Sequence, residues 1–164
     1  MERPEWHLAQ VNIAVLEAPL DSPQLADFVA NLEPINALAD DVPGFVWRLQ
    51  TEDGDATAIR AFDDDRIIVN MSVWASVEAL AEFVYQSRHV DVLRRRRTWF
   101  EKMSSAYLAL WWIPAGTIPT VAEAKRRLEL LDRRGPSPDA FTLKEPFAAP
   151  GSDRRHDGWL CPAG

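Results

Sequence analysis

The sequence predicts an α+β fold, a β-α-β-β-α-β antiparallel sheet of the ferredoxin-like plan with an added C-terminal helix. Three observations lead there. Four segments carry strand patterning, amphipathic helical segments separate the first strand from the second and the third from the fourth, and a capping box opens one further helix.

The first strand is His7 to Leu16, with Leu8, Gln10, Asn12 and Ala14 on one side and Ala9, Val11, Ile13 and Val15 on the other. A strand apolar on both sides needs cover on both. Ser22-Pro23 then supplies a serine N-cap and a proline at the first helical position. The helix places Leu25, Phe28, Val29, Leu32, Asn36 and Ala39 along one face, with Pro34 expected to kink or divide it before Pro43-Gly44 ends the segment. Phe45 to Thr51 is the second strand, closed by a turn at Asp53-Gly54, and Ala56 to Phe62 is either a short edge strand or a loop.

Arg66 to Trp74 is the strongest strand signal. Ile67, Val69, Met71 and Val73 form one wholly apolar face, and Asn70, Ser72 and Trp74 share the other. Ser76 caps the second long helix, which presents Ala79, Leu80, Phe83 and Val84 inward. From His89 onward the common face becomes His89, Val92, Leu93, Arg96, Trp99, Phe100 and Met103, so a bend or break is expected near Ser87-Arg88. Leu108 to Ile113 is the fourth strand, with Trp111 and Trp112 on opposite faces. Thr120-Val121-Ala122-Glu123 is a T-x-x-E box opening the third helix, which Gly135-Pro136 stops. Phe141 to Phe147 either pairs as an edge strand or runs over the surface. One domain over residues 1–149 and a loose, polar tail over 150–164 account for the chain.

With one helix layer on one sheet face, the other face would expose Ile67, Val69, Met71 and Val73. A homodimer through that face is the expected cover.

Composition narrows the function. A hydrophobic fraction of 47% and a charged fraction of 26% are those of an ordinary globular protein. No apolar run approaches the length of a membrane span, and residues 1–5 lack the basic and apolar regions of a signal peptide, so a cytoplasmic protein without membrane contact is expected. The one cysteine, Cys161, excludes an intrachain disulfide and any multi-cysteine metal site. A formal charge of −7 repels phosphate backbones, which argues against nucleic acid as a partner. No G-x-G-x-x-G, P-loop or H-E-x-x-H pattern occurs, and Asp63-Asp64-Asp65 lacks calcium-loop spacing. Neither a metal nor a cofactor is therefore predicted.

The residues able to carry chemistry are polar groups set into apolar stripes. Gln10 and Asn12 share one strand face, Asn70, Ser72 and Trp74 another, and Asn36, His89 and Arg96 interrupt helical stripes. Buried amides and cations must bond to one another, to water or to a ligand, so these groups either form a satisfied core network or line a pocket. His89 is the candidate for proton transfer, since histidine titrates near neutral pH, and its structural reading is a hydrogen-bond donor beside a helix bend. The run Arg94 to Arg97 points around most of a helix circumference, which leaves Arg96 alone facing the pocket to orient an anionic group. Among seven tryptophans, Trp47, Trp74, Trp99 and Trp112 are the expected pocket contacts, with core packing as the alternative use of each.

The runs His7 to Ala14, Pro43 to Leu49, Val69 to Trp74, His89 through Trp99-Phe100 and Leu110 to Gly116 resemble a family of bacterial proteins, domain-of-unknown-function family 3291. That resemblance implies the dimeric α+β barrel superfamily, in which cofactor-independent monooxygenases and haem enzymes occur. It also implies a ligand between the sheet and the helices of one subunit. Thr117 departs from the histidine that often follows the Pro-Ala-Gly run in that family.

The function expected is a small-molecule enzyme, a cofactor-independent monooxygenase acting on a planar aromatic or polyketide-like substrate. His89 and Asn70 are its catalytic residues; Gln10, Asn12, Asn36, Trp47, Ser72, Trp74, Arg96, Trp99 and Trp112 bind the substrate. The alternatives are a non-catalytic small-molecule-binding dimer and a haem-binding protein with His89 as axial ligand.

Overall fold

The computed structural model describes residues 6–19, 21–49, 66–85, 99–101 and 106–150. Ala56 to Phe62, Asp63 to Asp65, His89, the Arg94 to Arg97 run and Cys161 lie outside the described residues.

Four strands form one antiparallel sheet: β1 (Trp6–Val15), β2 (Phe45–Arg48), β3 (Ile67–Trp74) and β4 (Leu108–Pro114). Their order is β2-β3-β1-β4, the ferredoxin-like arrangement in which the first and third strands are central. β1 pairs with β3 from Leu8 opposite Trp74 to Val15 opposite Ile67, and with β4 from Trp6 opposite Pro114 to Asn12 opposite Leu108. The segment after the third helix adds one bridge beside β4, where Leu110 and Phe141 exchange backbone hydrogen bonds of 2.8 and 2.9 Å.

The first helical segment departs from its predicted start. Ser22 is extended but makes no side-chain cap bond, and a 3-10 turn at Pro23–Leu25 runs directly into α1 (Ala26–Asp40). Pro34 sits inside α1 without dividing it. Of the predicted stripe, Leu25, Phe28 and Ala39 are buried, whereas Val29 is exposed. The loop into β2 turns at Gly44, whose φ of +95° is open to glycine alone at little cost. A Cβ there would stand 2.7 Å from that of Ala79, so the missing side chain is also what lets α2 approach β2.

α2 (Val77–Val84) begins as predicted, with the Ser76 hydroxyl accepting from the Ala79 amide at 3.1 Å. Phe100, expected on a helical face, instead pairs with Leu16 and prolongs the ladder beyond β1. α3 (Val121–Arg134) is bounded as its capping box requires, with Thr120 Oγ1 accepting from the Glu123 amide at 3.1 Å and Gly135 ending it at a φ of +75°. Among the described residues no helix is long and apolar enough to cross a membrane.

The helices sort to the two sheet faces. α1 and α2 cover the face bearing Leu8, Gln10 and Asn12, where Ala39, Val77, Ala79 and Leu80 pack against Leu8, Trp74 and Leu110. α3 covers the opposite face, laying Ala124, Leu128 and Leu131 on Ala9, Val11, Ile13, Val69, Met71, Val73 and Trp111. This corrects the assignment of the Ile67, Val69, Met71 and Val73 face to a second subunit. Val69, Met71 and Val73 are 4%, 1% and 0% exposed within the single chain. The physical need that called for a partner there is met by the added C-terminal helix.

A polar network on the α1 and α2 side of the sheet

On the face beneath α1 and α2, alternation along β1 and β3 stacks register-paired residues in rungs: Leu8 with Trp74, Gln10 with Ser72, Asn12 with Asn70, and Ala14 with Ile68. Two apolar clusters flank the polar rungs. At one end Trp74 is 1% exposed and packs edge-on to Phe45 at 5.3 Å and stacked on Phe83 at 5.4 Å. At the other, Leu16, Leu25, Phe28 and Trp99 are buried together with Ile68 and Phe100 packed on them.

α1 contributes to both clusters, Phe28 to one and Ala39 to the other. Eleven residues of helix separate them, about 16 Å at 1.5 Å per residue. The middle of α1, with half-buried Asn36, therefore bridges the interval that the polar rungs occupy.

Gln10 is the hub of that interval. Its Nε2 donates to the Ser72 hydroxyl at 2.9 Å and to Asn70 Oδ1 at 3.3 Å, while its Oε1 accepts from Asn12 Nδ2 at 2.8 Å. Trp74 Nε1 donates to the same Ser72 hydroxyl at 2.8 Å. Gln10 and Ser72 are 4% and 6% exposed, so these bonds replace water that neither group can reach. Burial then falls along the rungs: Asn12, Ala14 and Ile68 are half-buried and Asn70 is exposed. The network is sealed at Trp74 and open at Asn12 and Asn70.

The remaining candidates separate. Trp112 shares this face, but its Nε1 donates to the Phe147 carbonyl at 2.9 Å, which ties down the C-terminal segment. Trp99 is fully buried against Phe28, with ring centroids 5.5 Å apart. Trp47 is on the wrong face for the site, because it pairs with Val73 and packs into the cluster beneath α3. His89 and Arg96 lie outside the described residues. Ala14 and Ile68, not singled out from the sequence, are the apolar rung adjoining the Asn12 and Asn70 pair. Their signal was the same two-residue period that placed Asn12 and Asn70 on this face.

Among the described residues the other face holds no comparable arrangement. Between α3 and the sheet, Val11, Ile13, Val69, Val121 and Leu128 line a narrow apolar crevice with no room for a water molecule. Arg127 there serves packing, its guanidinium 5.9 Å from the centroid of the Trp111 ring and bonded to Glu123 and to the Asp139 carbonyl. Among the described residues no three His, Cys, Asp or Glu side chains gather in a group able to hold a metal ion.

Fold and site together define an α+β protein of ferredoxin-like topology with a hydroxyl and amide network set into one sheet face. By sequence the chain belongs to the family described as domain of unknown function (DUF3291), which matches residues 7–157. Among curated proteins no sequence matches the chain. Solved structures similar to it include a mutant of SnoaB, a cofactor-independent oxygenase from Streptomyces nogalater, at 18% identity and a TM-score of 0.46, covering 70% of this chain and 98% of that one. PA3566 from Pseudomonas aeruginosa is similar at 10% identity and a TM-score of 0.47, over 71% and 100% of the two chains. Rv0793 from Mycobacterium tuberculosis is similar at 11% identity and a TM-score of 0.44, over 70% and 99%.

Proposed function

We propose that the chain is a small-molecule enzyme that oxygenates a planar, largely apolar substrate without a cofactor, in a cleft between the α1 and α2 layer and the sheet. The supporting observation is the Asn12 and Asn70 rung, held from below by Gln10 and adjoined by the half-buried Ala14 and Ile68 rung. A polar pair of fixed orientation beside an apolar floor suits a flat molecule with one oxygenated edge.

In this reading a ring methylene conjugated with a carbonyl loses a proton to His89, and the charge moves to the carbonyl oxygen. Amide donors on Asn70, with Arg96, stabilise that oxyanion. The enolate carbon bonds to molecular oxygen, reducing it, and the terminal peroxide oxygen takes up the proton held by His89 to give a hydroperoxide. Loss of water then leaves a second carbonyl, so that each CH2 and each O2 yield one C=O and one H2O. The substrate itself supplies the electrons.

Oxygen consumption measured over a panel of anthrones and phenols tests this. Native protein should consume one O2 per substrate, and His89→Ala should slow turnover by roughly 10²- to 10⁴-fold. Tight binding of the panel without oxygen uptake would replace the enzyme by a non-catalytic binding protein using the same cleft.

A further inference from the structure

The direction of each hydrogen bond in the network determines what its open end can recognise. Gln10 Oε1 takes a proton from Asn12 Nδ2, which turns the Asn12 nitrogen toward the hub and leaves Asn12 Oδ1 as an acceptor away from it. Gln10 Nε2 gives a proton to Asn70 Oδ1, which turns the Asn70 oxygen toward the hub and leaves the Asn70 amide nitrogen as a donor away from it. The Gln10 nitrogen is held by its second bond, to Ser72 Oγ, and that oxygen also accepts from Trp74 Nε1. The bonds thus run from the buried indole through Ser72 and Gln10 to the two asparagines.

Asn12 and Asn70 are direct cross-strand partners, whose Cβ atoms lie about 5 Å apart in such a pair. The open end therefore offers one acceptor and one donor side by side, next to the half-buried apolar pair Ala14 and Ile68.

We infer that Asn12 and Asn70 form a donor-acceptor clamp selecting flat ligands whose edge carries a carbonyl oxygen next to an O–H or N–H. The carbonyl oxygen accepts from Asn70 Nδ2 and the neighbouring O–H or N–H donates to Asn12 Oδ1. The ring system lies over Ala14 and Ile68. The clamp rests on the cleft of the proposed function and adds its specificity: a carbonyl flanked by an acceptor instead of a donor would set two acceptors against each other at Asn12.

2-Quinolone and coumarin test this directly, because they have the same shape and differ at the clamp edge only in N–H against ring oxygen. Titration of native protein, followed by tryptophan fluorescence, should show 2-quinolone binding roughly ten-fold more tightly, the difference expected for one hydrogen bond replaced by an acceptor clash. Asn70→Asp, checked for folding by circular dichroism, should weaken 2-quinolone by at least as much, since a carboxylate cannot donate to the carbonyl. Equal affinity of native protein for the two probes overturns the clamp while leaving the cleft in place. Absence of binding by both overturns the clamp and the cleft together.

Discussion

Ser72 shows how much one hydroxyl decides at the scale of the residue. Two buried donors, Trp74 Nε1 and Gln10 Nε2, converge on its oxygen at 2.8 and 2.9 Å. Ser72→Ala removes the acceptor from both, and a buried donor left without a partner costs about 1–3 kcal/mol. Urea denaturation should register a loss in that range. A loss below about 0.5 kcal/mol would mean that water replaces the hydroxyl and that the network is not sealed. Asn12, Asn70 and Ser72 were legible in the sequence as polar interruptions of apolar strands. Which of their atoms faces inward was not, because amide orientation is set by partners 60 and 62 residues away in the chain.

Elements meet where the backbone leaves room. Gly44 combines a φ of +95° with the 2.7 Å approach of Ala79, whereas Gly135 has a φ of +75° and nothing within 4 Å of the point where a Cβ would stand. The two therefore separate conformational strain from steric conflict. Gly44→Ala and Gly135→Ala should each lose about 1 kcal/mol or more from the left-handed backbone, with Gly44→Ala the more costly because α2 must also shift. Thermal melts of the two variants check the order, and an equal loss would show that α2 yields freely. Element boundaries read from local chemistry agree best where a cap is made. Ser76 and Thr120 both cap as expected, while Ser22 does not, since the chain enters α1 through a 3-10 turn.

For the whole molecule, the decisive feature is the second helix layer. Leu128 is 5% exposed against a sheet face that would otherwise require another subunit. Leu128→Ala should lower stability by about 2–5 kcal/mol, the range for truncating a buried leucine. Because the covering helix belongs to the same chain, the difference in unfolding midpoint between native protein and variant should not depend on protein concentration. A difference that changes with concentration would place a subunit contact on this face.

The four main strands and their alternation with helices, the two-residue period that puts Gln10 with Asn12 and Ser72 with Asn70, and the limits of α3 were all determined by the sequence alone. Each depends on neighbours a few residues apart, and local sterics and hydrogen bonding are written in short-range pattern. Only the tertiary structure decided that α3 lies over Val69, Met71 and Val73, that Trp47 falls on the far side from Trp74, and that Gln10 joins two strands into one directed network. Those outcomes depend on which apolar face reaches which in space. An amphipathic helix is equally content on any apolar surface, so its pattern alone cannot name the one it covers.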